Sequence, residues 1–451
     1  MENRLEKKYG LFTAIAMVIG IVIGSGVFFK APAILNAAGT LATGIAAWII
    51  GGAIMIFCAV AFAAMGTKYE KVNGIVDYAE AAIGRRYGYF IGWFMATIYY
   101  PSLTGVLAYV SAIYFCMLTG WIGNPAAVWA VSAIFLALSF LLNSLAPRLA
   151  GKWQVSTTLI KLVPLVAMAV GGIIYGLGSG NLTTNFHMTM ENAGGSGNPL
   201  FYGVVATSFA YEGWIIATSI NSEIKNAKKT LPLALVLGGI VIVVIYLVYF
   251  IGIAGGVELS VLSDKSGVEV AYENVFGKAI GTVLTAFITI SCLGTLNGLT
   301  MGCTRGIYSI AVRGEGPAIA LFSKVSPKYK MPMASCVFGF VMAFAFMAYF
   351  LPIDYNGLYG QGGGFFFDVS ELPIITIYAM YIPIFIRVIL REKAFGTATR
   401  FVFPTLAICG CLFMVTAAVD KFRYSGLWQY LLIFAAVMAL GMVFYRKLEQ
   451  K

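Results

Sequence analysis

The chain reads as an all-α polytopic membrane protein, with twelve transmembrane helices forming two inverted five-helix repeats and two peripheral helices. Three observations predict this: an apolar fraction too large for a water-soluble core, twelve apolar runs of bilayer length, and interruptions at matching places in the first and sixth runs.

Hydrophobic residues make up 60% of the 451 positions and charged residues 11%, so too few polar side chains remain to cover a soluble core. In a soluble domain the net charge of +11 would suggest a nucleic-acid partner. Here the Lys and Arg residues fall in short gaps between apolar runs, where they set membrane orientation, and no nucleic acid is implied. The seven cysteines (58, 116, 292, 303, 336, 409, 411) lie inside or at the edges of apolar runs and read as small buried hydrophobes. His187 is the single histidine; with no second one, a histidine-based metal or catalytic site has nothing to be built from. No cofactor or metal is expected. The chain also lacks the paired carboxylates or thiolate motif of a membrane-embedded enzyme.

A bilayer core of about 30 Å takes about 20 apolar residues per helix. Suitable runs fall at 11–35, 41–65, 88–118, 126–144, 154–176, 201–220, 232–254, 275–311, 333–350, 371–390, 401–419 and 426–446. This divides the chain into a tail (1–10), a first repeat (11–176), a second repeat (201–390), two peripheral helices (401–446) and a second tail (447–451). The first run is long and has no cleavage pattern behind a short apolar core, so it stays in the protein. Of the Lys and Arg residues in loops, twenty-three fall on one side of the alternation and three, or four with Lys278, on the other. Both termini are therefore expected in the cytoplasm, which makes the chain a multi-pass protein of the cytoplasmic membrane.

The first run carries "GIVIGSGVF", with Gly20, Gly24 and Gly26 crowded into its middle. Close helix packing alone explains many such glycines. A second interruption in the corresponding place, Glu212 and Gly213 in "FAYEGW" of the sixth run, points instead to an inverted-repeat transporter with its site at the midplane. Unwinding a helix frees N–H groups at the start of its outer half and carbonyls at the end of its inner half, and the bilayer tolerates these only where a cavity or ligand satisfies them. The N–H end suits a carboxylate and the carbonyls suit an ammonium. Ser25 and Gly26 are the candidates for a substrate carboxylate, and carbonyls around Val22 and Phe209 for its amine. Gly24, Ala210, Glu212 and Gly213 complete the candidate set, and Phe209, an aromatic beside a broken helix, is the candidate lid.

Lys161, inside the fifth run, is costly there unless it has a partner or a task. It either snorkels to the interface or supplies a fixed cation between helices, with freed carbonyls near Gly20 and the Ser291 hydroxyl as partners. A built-in cation of this kind makes a bound sodium unnecessary. Lys30 is expected at the outer interface, with Asp368 and Glu371 solvated at the outer mouth of the tenth run.

"GIVIGSGVF", "FAYEGW", "NSEIKNAKKTLP" after the sixth run, "IKLVPL" around Lys161 and "SCLGTLNG" in the eighth run together resemble the amino acid–polyamine–organocation (APC) superfamily, specifically its L-type amino acid transporter group. The resemblance spans most of the first ten helices. It implies a LeuT-like fold and sodium-independent amino acid exchange by alternating access. The family's carboxylate-binding serine and glycine match Ser25 and Gly26, its gating phenylalanine Phe209 and its helix 5 lysine Lys161. Animal members join a heavy chain through a cysteine between helices 3 and 4; "TGWIGNPA" has none, so no disulfide-linked heavy chain is expected. Glu212 stands where relatives often carry an uncharged residue. Neutral amino acids are the expected substrates, with cationic amino acids, polyamines or proton coupling as the alternative.

Overall fold

A computed structural model describes residues 10–69, 74–190, 197–217, 224–262, 264, 266–355 and 366–445. The expected tails lie outside these except for Gly10, as do Asn221, Ser222 and Glu223 of the loop motif. Among the described residues the elements are helical throughout, and ten of the helices are long and apolar enough to cross a membrane. Further apolar helices, Gly26–Ala38 and Pro199–Ala210 among them, overlap the two interrupted runs and overrun them by two or three residues.

Local chemistry sets the helix ends. The triplet Gly-Asn-Pro occurs twice, at 123–125 and 197–199, and each time it opens a helix. The Asn124 side chain accepts from the N–H groups of Ala126 (3.1 Å) and Ala127 (3.3 Å), and Asn198 accepts from Leu200 (2.9 Å) and Phe201 (3.4 Å). The proline that follows has no N–H to leave unpaired, and its fixed φ already suits the first turn. Gly39, with φ at 73°, closes Gly26–Ala38 by donating to Leu35 O at 2.8 Å.

The chain divides into two compact units. One draws on Met1–Gly88, Leu162–Leu284 and Ile374–Lys421. Its long Ala227–Gly256 helix packs on Leu41–Tyr69 and on Leu162–Ser179. The second of these contacts is backbone on backbone: a Cβ at Gly172 would run into Gly252 O, and one at Gly255 into Gly172 O. Small residues admit this approach, the usual way to gain contact where lipid is as apolar as protein. Trp48 meets Tyr211 and Tyr246 edge to face, with centroids 5.4 and 5.3 Å apart. At the end of Leu41–Tyr69, Lys68 and the Tyr69 hydroxyl both bond the Glu392 carboxylate.

The other unit draws on Tyr89–Lys161, Thr285–Pro373 and Phe422–Lys451. Here polar side chains join helices inside an apolar body. Asn143 donates to Ser139 O and to Asn297 Oδ1, both at 2.9 Å, and Asn297 donates to Ala150 O (3.1 Å) and Gln154 Oε1 (3.0 Å). Each amide is satisfied by the next, which is what makes such groups tolerable in a low-dielectric interior. Trp93 Nε1 and the Tyr89 hydroxyl donate to Val437 O and Gly441 O, tying Leu427–Phe444 to the unit.

The helices follow the expected runs closely, with two departures of note. The fifth run is two helices, Pro147–Ile160 and Leu162–Ser179, parted at Lys161. The eighth begins at Lys278 and not 275, because Gly277, at φ 79°, ends a separate helix Gly267–Phe276. Lys30 and Glu371, expected at wet interfaces, are 3% and 2% exposed. Hydropathy alone cannot tell a charge at a span's edge from one that the fold covers.

Gly172→Val is expected to push the two glycine-faced helices apart. Because the neighbour is backbone and cannot yield, the cost is at least the about 1–3 kcal/mol of ordinary overpacking. Thermal unfolding in detergent, followed by fluorescence-detected size exclusion, measures it.

Candidate functional site

Both expected interruptions are present in the first unit. Leu11–Val22 stops, Ile23, Gly24 and Ser25 leave the helix, and Gly26–Ala38 begins. Pro199–Ala210 stops, Tyr211 to Gly213 form a turn, and Trp214–Ala217 begins. Gly213 has φ at 107°, a conformation that glycine adopts at no steric cost.

The breaks lie against each other. A Cβ on Gly26 would come within 2.6 Å of Ala210 Cα and 3.1 Å of Phe209 O, so the first residue after one break touches the last turn before the other. Glycine is required at 26 by this backbone contact, not by its φ. Ser25 is fully buried, and its carbonyl accepts from the N–H groups of Phe28 and Phe29 at 3.1 Å. The Glu212 N–H reaches Phe209 O at 3.4 Å. Of the residues singled out from sequence, Val22, Gly24, Ser25, Gly26, Phe209, Ala210, Glu212 and Gly213 all lie in this unit, at or beside the two breaks.

Sequence reasoning missed Tyr246. From the Ala227–Gly256 helix its hydroxyl bonds both Val22 O and Ala210 O, each at 3.2 Å. These are the terminal carbonyls of the first halves of the two broken helices, the groups that unwinding frees. Each carbonyl has two lone pairs, so each keeps an acceptor position for a second donor. A tyrosine in an apolar run carries no signal of this role. The polar inventory at the breaks also includes the buried Ser208 Oγ and Trp48 Nε1, which bond no group among the described residues.

Lys161, just past the end of Pro147–Ile160, and Ser291, within Lys278–Ala311, lie in the second unit, and those two helices run antiparallel. Gln154 and Ala150 pair with Asn297, and a Cβ on Gly294 would run into Thr157. As numbers rise along one helix they fall along the other, so beyond the contact of Gly294 with Thr157 the chain runs on toward 161 as the other runs toward 291. Lys161 is 3% exposed and donates its backbone N–H to Thr157 O at 3.1 Å. The Ser291 hydroxyl is fully buried and bonds no group among the described residues. Gly20, expected beside them, belongs to the other unit, two residues before the end of Leu11–Val22. Among the described residues no group of three His, Cys, Asp or Glu could hold a metal ion.

The amino acid permease family model matches residues 9–444. The chain is 29% identical to the serine/threonine exchanger SteT of Bacillus subtilis (strain 168), over 92% of this chain and 91% of that protein. It is 25% identical to the human b(0,+)-type amino acid transporter 1, over 98% and 88% of the two chains. It is 23% identical to the human cystine/glutamate transporter, over 73% and 66%.

Tyr246→Phe removes the hydroxyl shared by the two breaks and keeps the ring. One hydrogen bond is worth about 0.5–1.5 kcal/mol net, and leaving buried carbonyls short of a donor adds to that. The variant is expected to unfold at lower temperature than wild type in the same detergent, with its far-UV circular dichroism unchanged.

Proposed function

Because the chain belongs to the amino acid permease family, as an L-type member of the APC superfamily, we propose that it is a sodium-independent exchanger of L-amino acids, chiefly neutral ones. The chain is a multi-pass membrane transporter and not an enzyme. The observation that carries the finer reading is the apposition of two broken helices, with Gly26 seated on Ala210 and Phe209.

In this reading the zwitterionic part of the substrate sits between the breaks. Its carboxylate takes the N–H groups that open Gly26–Ala38, with the Ser25 side chain beside them, since the start of a helix carries partial positive charge. Its ammonium takes the free lone pairs of the Val22, Phe209 and Ala210 carbonyls, while Tyr246 holds those of Val22 and Ala210 in place. Gly24 and Gly213 let the backbone turn, and Phe209 covers the substrate. Lys161, in the same unit as Ser291, supplies the fixed cation that a sodium ion would otherwise provide. Its burial favours this role over snorkelling.

The fold proposed is LeuT-like. Ten continuous spans and two interrupted ones make twelve, with repeats at 11–176 and 201–390 and peripheral helices at 401–446. The Lys and Arg bias supports cytoplasmic termini in the plasma membrane, and the cysteine-free loop at 119–126 supports action without a disulfide-linked heavy chain. The preference for neutral substrates draws on the similarity to a serine/threonine exchanger. Glu212, at the second break, favours a second reading in which cationic amino acids or polyamines are carried, or a proton is coupled to transport.

Uptake of labelled amino acids into proteoliposomes decides between these readings. Exchange predicts uptake only into vesicles preloaded with unlabelled amino acid, indifferent to sodium; uptake into empty vesicles driven by a pH gradient overturns it. Ser25→Tyr is expected to block the proposed carboxylate site and reduce exchange at least about tenfold, the scale of a lost 1.4 kcal/mol. Unchanged uptake would remove the carboxylate from this place. Glu212→Gln is expected to leave the pH profile and the serine-to-arginine preference as they are; a shift in either supports the second reading.

A further inference from the structure

Lys30 stands four residues after Gly26, in the second half of the interrupted first helix, and its charge is covered by the fold. Its Nζ lies 5.4 Å from the ring centroid of Phe29 and 5.4 Å from that of Phe209. The two rings themselves meet edge to face, with centroids 5.9 Å apart and planes at 68°. Phe209 is the penultimate residue of Pro199–Ala210 and is 7% exposed. One ammonium therefore bridges an aromatic of each broken helix just past the first break.

A cation is attracted to the negative face of an aromatic ring, and more strongly where both are desolvated. A lid must swing away to admit or release substrate. If Phe209 is that lid, its swing withdraws the ring from the Lys30 ammonium, and the lost attraction adds to the opening barrier. We propose that Lys30 is a positioning residue of the gate: its ammonium, lodged against Phe29 and Phe209, holds the Phe209 ring over the substrate and sets how fast the lid opens. This rests on the reading of Phe209 as the lid. The attraction needs a positive charge at 30 and a π face at 209, and it is indifferent to what else the ammonium bonds. A lysine retained only for packing needs neither.

Four variants of the full-length protein separate these roles: Lys30→Met, which keeps an apolar stem without charge; Lys30→Arg, which keeps charge and stacking; Phe209→Leu, which removes the ring; and the double variant Lys30→Met/Phe209→Leu. Each is reconstituted in proteoliposomes preloaded with unlabelled serine, and KM and kcat for labelled serine are measured. The release rate of labelled serine from purified protein is measured alongside. Lys30→Met is expected to raise the release rate and KM by about tenfold, the scale of a buried cation–π contact. Lys30→Arg is expected to stay within about twofold of wild type, because guanidinium also stacks on rings. With leucine at 209, adding Lys30→Met is expected to change either quantity by less than about twofold, since the partner is already gone.

Equal effects of Lys30→Met with phenylalanine or leucine at 209 overturn the proposal, as does wild-type release from Lys30→Met. A fall in kcat with KM and release rate unchanged marks a loss of folded protein and also overturns it. Phe209→Trp with Lys30 intact supplies an arm that does not depend on Lys30→Met folding: the stronger π face is expected to slow release, and faster release counts against the clamp. Wild-type protein that neither binds nor exchanges labelled serine or arginine overturns the exchanger reading itself; wild-type exchange with additive variants overturns only the role of Lys30.

Discussion

Hydrocarbon offers no hydrogen bonds, and the site depends on that constraint. A backbone carbonyl released from a helix at membrane depth must find a donor within the protein or its ligand. The first unit releases two such carbonyls, Val22 O and Ala210 O, and meets both with one hydroxyl from Tyr246. The glycine contact at Gly26 brings the breaks close enough for one side chain to serve both. The glycine-faced packing of Leu162–Ser179 on Ala227–Gly256 secures the helix that carries that side chain.

The second unit answers the same constraint differently. Its polar side chains satisfy one another in a chain through Ser139, Asn143, Asn297 and Gln154, which leaves its helices continuous where the first unit's are broken. The exception is Lys161, where the helix parts. A partly unwound backbone and a buried charge at one position are the costly combination that membrane proteins keep for functional places.

Much of this was legible in the sequence, and the limits have a physical cause. Span positions follow from hydropathy because the bilayer fixes the length of an apolar run, and the breaks follow from glycine clusters because little else turns a chain so tightly. The Gly-Asn-Pro helix starts are equally local. What stayed hidden depends on residues far apart in the chain: Tyr246 is more than 200 residues from Val22, Asn143 more than 150 from Asn297. The burial of Lys30 escaped for a related reason. A charge at the edge of an apolar run faces water by default, and the sequence does not show that Phe209 arrives from the second break to lie against it.

The Tyr246 hydroxyl carries a single proton and points it at two acceptors equally far away. A donor divided in this way forms two weak bonds in place of one strong one, and withdrawing either acceptor leaves the whole proton to the other. Separating the two broken helices is therefore cushioned: the bond lost on one side is partly regained on the other. The hydroxyl acts as a balance beam whose two pans are the ends of two helices, stable when level and inexpensive to tip in either direction.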